Sequence, residues 1–453
     1  MQTTKIYRLL CQKPEVFERL KAAQMESAKV WNECMETHKK CRIAQTSWSN
    51  QTQLQKLTKG KYELHSQSVQ IVCQAFLANV DSTRANRRSG IKDMKYPWRT
   101  KRFYPVAWTS QSVKYSEGKL TLPMGRGRQS LSFQLKLDFV PGAVSLVWRS
   151  GFELHIKQEV QLEENKTTGV KAAIDLGEIH HSAVSTNTGQ GLIVNGRGIR
   201  SLKRRRNMVL AKLSRKQSKC QKYSKRWKKL SRAKNRFCLR NERQTKEYRH
   251  QATRQVVEFC KTHDVDTVFI GNPDGVRNKN CGRRHNQRMA QWEYGKDLDY
   301  LTYKFKMAGI SVLTGSERGT SSTCPECGRR HKPKGRTWNC PNPQAVALRP
   351  SAQARLSRMA LRYKNKHRDI TGSLMMQVLA FDEKPKYPKE IKYLRPIALT
   401  RFDVAKQRRI AEGNHTGSSR CADTRQRSLS RANTSSTSTE RDRSISAHSI
   451  SVV

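Results

Sequence analysis

The order of strand and helix patterns between residues 168 and 313 constrains the fold of this 453-residue chain more than any other feature. Apolar runs at 170–177, 181–185 and 191–195 predict three consecutive strands, the last two joined across Thr188-Gly189. A long helical segment follows, then a helix around Thr253–Lys261 and a strand at 265–271. A helix over about 286–308 and a strand at 310–313 complete the series. This order predicts an α/β domain with an RNase H-like arrangement.

Two acidic residues stand at the ends of predicted elements in this domain. Asp175 ends the first strand in Ile174-Asp-Leu-Gly177, and Asp369 stands near the start of a final predicted helix. Acidic side chains from separate segments can hold two Mg²⁺ ions ~4 Å apart, and such a pair hydrolyses phosphodiesters. We therefore expect Asp175 and Asp369 to be catalytic, with Mg²⁺ as the cofactor.

Such a site normally has a further acid, supplied by the end of the fourth strand. That strand ends in Phe269-Ile-Gly-Asn-Pro-Asp-Gly275, so Gly271 and Asn272 occupy the expected place. Asp274 is the weak candidate for the missing role, because it reaches back only if the chain stays extended after Asn272.

A cysteine pair predicts a metal site of a different kind. Cys324 and Cys327 are spaced C-x-x-C with Gly328 after them, which is typical of a zinc knuckle. Cys340 is a third candidate zinc ligand. A second C-x-x-C would place the fourth at position 343, which is Pro343, and His331 or His367 are poor substitutes by their spacing.

The charge of the chain points to a polyanionic partner. Lysine and arginine number 89 against 36 acidic residues, a formal net charge of +53 that would repel itself without a polyphosphate counter-charge. Residues 200–250 carry 21 of these bases but only Glu242 and Glu247, and an apolar heptad seam predicts a packed helix or hairpin. We expect this segment to lie along a nucleic-acid backbone. The expected contacts are Arg204, Arg205, Arg206, Lys225, Arg226, Lys228 and Lys229.

The rest of the chain divides by composition. Residues 1–13 and 88–167 contain alternating patterns that predict a β-barrel-like domain, and helical periodicity at 14–87 predicts a helical insertion in it. Residues 403–453 are rich in Ser, Thr and Arg and are expected to be disordered. The scattered cysteines fit a reducing cytoplasm, and neither a signal peptide nor a long apolar run indicates a membrane.

Three motifs together resemble the TnpB family, the OrfB-type transposases of small insertion sequences, which are related to compact type V CRISPR effectors. They are Ala173-Ile-Asp-Leu-Gly177, the segment from Gly319 to Gly328, and His367-Arg-Asp369. The resemblance implies a β-barrel wedge domain with a helical recognition domain, then a RuvC core at 168–318 and 367–402 with a zinc-ribbon insertion at 319–366. It also implies a guide RNA from the same element and cleavage of DNA that pairs with that guide.

The resemblance assigns Asp175 and Asp369 as the first and third RuvC acids, and Cys324, Cys327 and Cys340 as zinc ligands. The chain departs from the family at Gly271-Asn272, at the fourth cysteine and in the segment 345–366. We interpret that segment as a frame-shifted or inserted patch of a decaying mobile element. Two functions therefore stay open: an RNA-guided DNA endonuclease, and a nuclease-dead protein of the same fold that occupies guide-matched DNA.

Overall fold

The computed structural model describes residues 1–9, 13–91, 93–165, 167–273, 275, 280–325, 328–330, 333, 335–340 and 365–396. These residues form two compact units, one of residues 2–159 and one of residue 1 with the described residues from 160 onward. Asp274, Cys327, His331 and the predicted tail lie outside the described residues, as does nearly all of the segment 345–366. In the part of the chain that is described, no helix is both long and apolar enough to cross a membrane.

Three helices lie in the first unit: α1 (Pro14–Ile43), α2 (Gln51–Thr58) and α3 (Ser66–Arg88). Pro14 begins α1, a position where the missing N–H of proline is harmless. A capping box begins α2, because the side chains of Asn50 and Gln53 each accept the backbone N–H of the other. The helices α1 and α3 bury Trp31 against Phe76, with the ring centroids 5.2 Å apart.

Two antiparallel sheets complete the first unit. The larger has the order β1 (Gln2–Arg8), β7 (Phe152–Glu159), β6 (Val144–Trp148) and β2 (Val106–Trp108). The smaller contains β3 (Lys114–Ser116), β4 (Lys119–Leu122) and β5 (Leu131–Gln134). Because β1 pairs with β7, the helices are inserted between two strands of one sheet. The helices and both sheets share one hydrophobic core.

The predicted barrel does not close in the described residues of this unit. β1 and β2 are the edges of the larger sheet, and no described strand pairs with their outer sides. The strands β2 to β5 are only three or four residues long, so they form two open sheets over the helices instead of a continuous wall.

A mixed six-stranded sheet forms the centre of the second unit. Its order is β12 (Ser311–Ser316), β11 (Thr267–Asn272), β8 (Lys171–Leu176), β9 (His180–Thr186), β10 (Gly191–Asn195) and β15 (Ile391–Leu394). β9 is antiparallel to both neighbours, and the other pairings are parallel. The first five strands have the RNase H-like order that the sequence predicts, and β15 is added beside β10.

Helices cover both faces of this sheet. The described helices of this unit are α4 (Arg197–Ser218), α5 (Lys225–Thr262), α6 (Arg283–Gln291), α7 (Tyr294–Met307) and α8 (Arg368–Phe381). Residues of α5 and α7 pack on one face, and Ile370 and Leu374 of α8 pack on the other. The long basic segment is a hairpin of α4 and α5 rather than one helix, and the helix expected at 286–308 is broken at Trp292 and Glu293. Trp292 is 2% exposed, so the break buries a large side chain.

Candidate active site

The two predicted catalytic acids lie together at one edge of the six-stranded sheet. Asp175 is near the end of β8, and Asp369 is in the first turn of α8, which packs against β8 and β9. Both line a recess of about 240 Å³. Gly372 lets the helix approach, because a Cβ there would lie 2.9 Å from Asp175 Oδ2.

A third acid, Glu317, lines the same recess. It follows β12 by one residue, and β12 runs parallel to β11 with Gly271 opposite Gly315 and Asn272 opposite Ser316. Glu317 Oε2 lies 3.0 Å from the position that a Cβ on Gly271 would occupy. The fifth strand therefore delivers a carboxylate to the place where the fourth strand has a glycine.

The three carboxylates interact electrostatically. Burial raises the pKa of Asp175 well above its usual range, and the negative charges of Glu317 and Asp369 raise it further. Arg368 and Arg336 act in the opposite direction but do not reverse the shift. A buried acid crowded by two others favours a bound cation, which would relieve the repulsion.

The Asp369 carboxylate contacts two side chains, those of His180 and Arg336. His180 Nδ1 lies 2.6 Å from Asp369 Oδ2, and Arg336 Nη1 donates to the two carboxylate oxygens at 3.2 and 2.9 Å. Burial acts to raise the pKa of Asp369, but the His180 hydrogen bond and the Arg336 charge outweigh it, so the pKa is lowered. The pKa values of the two aspartates are therefore shifted in opposite directions, because Asp369 has His180 and Arg336 as partners and Asp175 is buried beside other acids.

His367 lies close to Asp369 and His180. Ligand atoms of His180, His367 and Asp369 all lie within 4.8 Å of one another. Burial lowers the pKa of His367. A fourth acid at the recess, Glu178, is already paired, with Arg200 Nε at 3.3 Å and Arg288 Nε at 3.2 Å.

The cysteine site is described in part. Cys324 is buried, and its Sγ lies 3.7 Å from Cys340 Sγ. Two thiolates on one tetrahedral zinc, with Zn–S bonds of ≈ 2.3 Å, would lie about 3.8 Å apart, so this spacing suits a shared ion. Gly328 donates its N–H to the Cys324 carbonyl and has a φ of +68°. Thr337–Trp338 (β13) and Lys366–His367 (β14) pair beside it.

The predicted nucleic-acid contacts lie on the hairpin of α4 and α5. Arg206 is half-buried, and the other six predicted residues, Arg204, Arg205, Lys225, Arg226, Lys228 and Lys229, are exposed. Ser224 caps α5 by accepting the Trp227 N–H at 3.2 Å, which separates the two helices after a short turn. The exposed charges are thus carried on a two-helix arm of the second unit.

Sequence reasoning missed Glu317 and His180. The expected fifth strand ended at Leu313, three residues short of the observed end at Ser316, so Glu317 did not appear to follow a strand. Asp175 was identified as a carboxylate at the end of a strand, and the same reasoning would have identified Glu317 had the fifth strand been drawn to its full length. His180 had no signal of its own, because a histidine early in a strand is common.

Comparisons with known proteins agree with this fold. Residues 154–277 match the family model "Probable transposase" of the OrfB type, and residues 294–349 match the model "Cas12f1-like, TNB domain". A solved structure described as a Cas12f1-sgRNA-target DNA complex aligns with a TM-score of 0.54 and 12% identity, over 80% of this chain and 83% of that one. A CRISPR-Cas12f ternary complex aligns at 14% identity, over 80% and 81% of the two chains, with a TM-score of 0.32. Comparison with curated proteins gives no match.

The second unit therefore has a mixed α/β fold of the kind found in RuvC-containing Cas12f1. The two family models add a similarity of sequence, since they match a TnpB-type transposase over residues 154–277 and a domain of the compact type V effector Cas12f1 over residues 294–349.

Proposed function

We propose that this protein is a transposon-encoded, RNA-guided DNA endonuclease that cleaves by divalent-cation-dependent phosphodiester hydrolysis. The observation that carries the proposal is the convergence of Asp175, Glu317 and Asp369 on one recess at the edge of an RNase H-like sheet. The sequence departure at Gly271 pointed towards a nuclease-dead protein. Because Glu317 supplies a carboxylate beside Gly271, we favour the enzyme over the silent DNA binder.

The donor set fits Mg²⁺, which takes carboxylate oxygens and keeps several waters. Asp175, Glu317 and Asp369 would hold the ions, and bound Mg²⁺ would activate water and stabilise the charge on the leaving oxygen. The residues of the chain have separate tasks around that chemistry. His180 orients the Asp369 carboxylate through its 2.6 Å contact, and Arg336, 43% exposed, can leave Asp369 and pair with a substrate phosphate.

The partners we propose are target DNA and a guide RNA from the same element. The Cas12f1 structure that shares the fold is a complex with sgRNA and target DNA. The exposed bases of the α4–α5 arm suit a phosphate backbone of either kind. Base pairing with the guide would read the sequence, and the protein would read a short adjacent motif and backbone shape.

We also propose a structural zinc ribbon around Cys324, Cys327 and Cys340. Two observations support it: the 3.7 Å spacing of the Cys324 and Cys340 sulfurs, and the hydrogen bond from the Gly328 N–H to the Cys324 carbonyl. In the first unit, the two open sheets take the role of the wedge, and α1 to α3 that of the recognition helices. We place the protein in the cytoplasm, where its cysteines stay reduced.

The proposal is tested by expressing the full chain with its native flanking locus and sequencing the RNA that copurifies. The complex is then incubated with a guide-matched plasmid in Mg²⁺. Cleavage that requires the match and is lost in Asp175→Ala supports the endonuclease. Guide-dependent binding without cleavage identifies the silent binder, and the absence of any bound RNA contradicts both.

A further inference from the structure

A row of rings leads from the candidate catalytic carboxylate to solvent. His180 contacts Asp369 through Nδ1 at 2.6 Å, and the His180 and His367 rings lie 5.1 Å apart at an interplanar angle of 54°. Tyr393 continues the row, with its ring centroid 6.2 Å from that of His367 and nearly perpendicular to it at 74°. The row therefore starts at the Asp369 carboxylate and ends at the phenol ring of Tyr393.

That last ring is unusual in its exposure. Tyr393 is 62% exposed, although it lies in a strand of the catalytic sheet. It belongs to β15, the strand added beside β10, and pairs with Ile193. Because side chains alternate along a strand, Tyr393 shares a face with Ile391, which packs with Ile370 and Leu374 of α8. The exposed ring is thus on the face of the sheet that carries α8 and Asp369.

Fold stability does not explain this ring. The core cluster on that face is completed by Ile391 and Tyr387, while Tyr393 contributes to neither described core of the sheet. Arg336 and Arg368 line the recess with Asp369, so basic side chains lie near the inner end of the row. The backbone N–H of His367 donates to Tyr387 Oη at 2.6 Å, which positions His367 in the row. An exposed aromatic ring close to a recess with basic side chains is an arrangement that proteins use to stack unpaired bases.

We propose that Tyr393 is a binding platform for an unpaired nucleobase of the strand that is cut, next to the scissile phosphate. The inference rests on the proposed nuclease function, because that function brings a strand to Asp369. A base inside a duplex has both faces covered by its neighbours, so the platform selects a single-stranded segment. Tyr393 is a positioning residue: it holds the flanking nucleotide while the carboxylates act on the phosphate.

The test compares Tyr393→Ala, Tyr393→Phe and, as a control, Leu379→Ala, which truncates a side chain of α8 that is 64% exposed. The purified RNA complex is titrated in EDTA with a single-stranded oligothymidylate that contains one 2-aminopurine. Salt of about 0.5 M weakens the general attraction of the basic surface for phosphates. Stacking is worth ≈ 1–3 kcal/mol per base, so Tyr393→Ala should weaken binding about 5- to 100-fold and abolish the quenching of 2-aminopurine. Tyr393→Phe keeps the ring and should bind like wild type, as should Leu379→Ala.

If Tyr393→Ala binds the oligonucleotide with wild-type affinity, the inference is wrong. It is also wrong if Tyr393→Phe loses as much affinity as Tyr393→Ala, because the effect would then belong to the hydroxyl and not to the ring. A cleavage assay in Mg²⁺ separates this inference from the proposed function. If wild type binds with the expected dependence on Tyr393 but does not cut, the platform stands and the nuclease proposal fails. If wild type cuts and Tyr393→Ala has an unchanged KM, the nuclease stands and the platform fails.

Discussion

The Glu317 carboxylate fills the space beside Gly271, where its Oε2 lies 3.0 Å from the position of a Cβ. The two residues come from neighbouring parallel strands, β12 and β11, whose carboxyl ends meet at one edge of the sheet. A side chain on residue 271 would collide with Glu317 and also with Met376, whose Cε and Sδ lie 2.8 Å from the same position. The small residue on the fourth strand therefore leaves room for the end of Met376 and for the acid that follows the fifth strand.

Replacement of Asp175 by asparagine should stabilise the protein in the absence of divalent cations. The pKa of Asp175 is raised in the folded state, so the folded protein holds the proton to a higher pH than the unfolded chain, whose aspartate pKa is about 3.9. Stability therefore falls as pH rises from about 4 through the folded pKa, and the penalty is full above it. Asp175→Asn removes the penalty and should raise the Tm at pH 8 in EDTA, by roughly 2–4 °C for each kcal/mol relieved.

The same thermal scans carry their own controls. At about pH 3 the Tm difference should nearly vanish, because the wild-type carboxyl is then largely protonated in both the folded and the unfolded state. Mg²⁺ should raise the Tm of wild type more than that of Asp175→Asn. An Asp175→Asn protein that melts below wild type at pH 8 in EDTA would contradict the crowded-acid description of the site.

Gly372→Ala should impair cleavage although alanine is the better helix former. Its Cβ would lie 2.9 Å from Asp175 Oδ2, so the carboxylate must move. A displacement of ~1 Å at a reacting group costs on the order of 100-fold in rate. Gly295→Ala is the matched control, since nothing lies within 4 Å of its Cβ and it also sits in a helix. The control should keep full activity and gain up to about 1 kcal/mol of stability, measured by urea unfolding.

Cys340→Ser should lose bound zinc. With Cys324 Sγ at 3.7 Å from Cys340 Sγ, the two thiols form one edge of the proposed site. Metal analysis of the purified protein should give about one zinc per wild-type chain and much less in the variant, since structural sites need all their ligands. Cys281 is an exposed cysteine outside the ribbon, and Cys281→Ser should retain the metal. Equal zinc in wild type and Cys340→Ser would remove Cys340 from the ligand set.

Neutralising four exposed basic side chains of the α4–α5 arm should weaken nucleic-acid binding and make the binding constant less dependent on salt concentration. The change combines Arg204→Gln, Arg205→Gln, Lys228→Gln and Lys229→Gln. Each phosphate contact contributes about 0.9 to the slope of log K against log salt on duplex DNA, so the slope should fall by roughly 3 to 4. Lys203→Gln is the control, because Lys203 is already paired with Glu293 at 2.9 Å and should leave the slope unchanged. An unchanged slope in the fourfold variant would place the phosphate contacts elsewhere.

Much of the second unit was predictable because its strands are buried and its carboxylates stand at element ends. The first three strands agree closely with β8 to β10, and Asp369 lies in the first turn of α8 as expected. The end of β12 was not predictable from propensity. Thr314, Gly315 and Ser316 are small or polar, and they extend only because β11 pairs with them. Glu317 was missed for that reason.

The helical arm shows the same limit in another form. Lys219 to Ser224 contain neither proline nor glycine, yet the chain turns there, and Tyr223 takes a left-handed φ of +67°. Such a turn depends on the packing of α4 against α5, which a local pattern does not encode. In the first unit the alternating strands were expected to close a barrel. How strands join at the edges of a sheet is a tertiary property, and the described strands leave those edges open.

The most direct test moves the second acid from residue 317 to residue 271. Rates of cleavage of guide-matched DNA in Mg²⁺ are compared for wild type, Glu317→Ala and the double variant Glu317→Ala with Gly271→Glu, with gel shifts to match DNA binding. The account predicts that Glu317→Ala lowers the rate roughly 100-fold or more without weakening binding, because the ions lose a ligand. The double variant should recover at least about tenfold of that loss, since the side chain on residue 271 enters the vacated space once the flexible end of Met376 moves aside. A Glu317→Ala protein that cleaves at the wild-type rate would contradict the account.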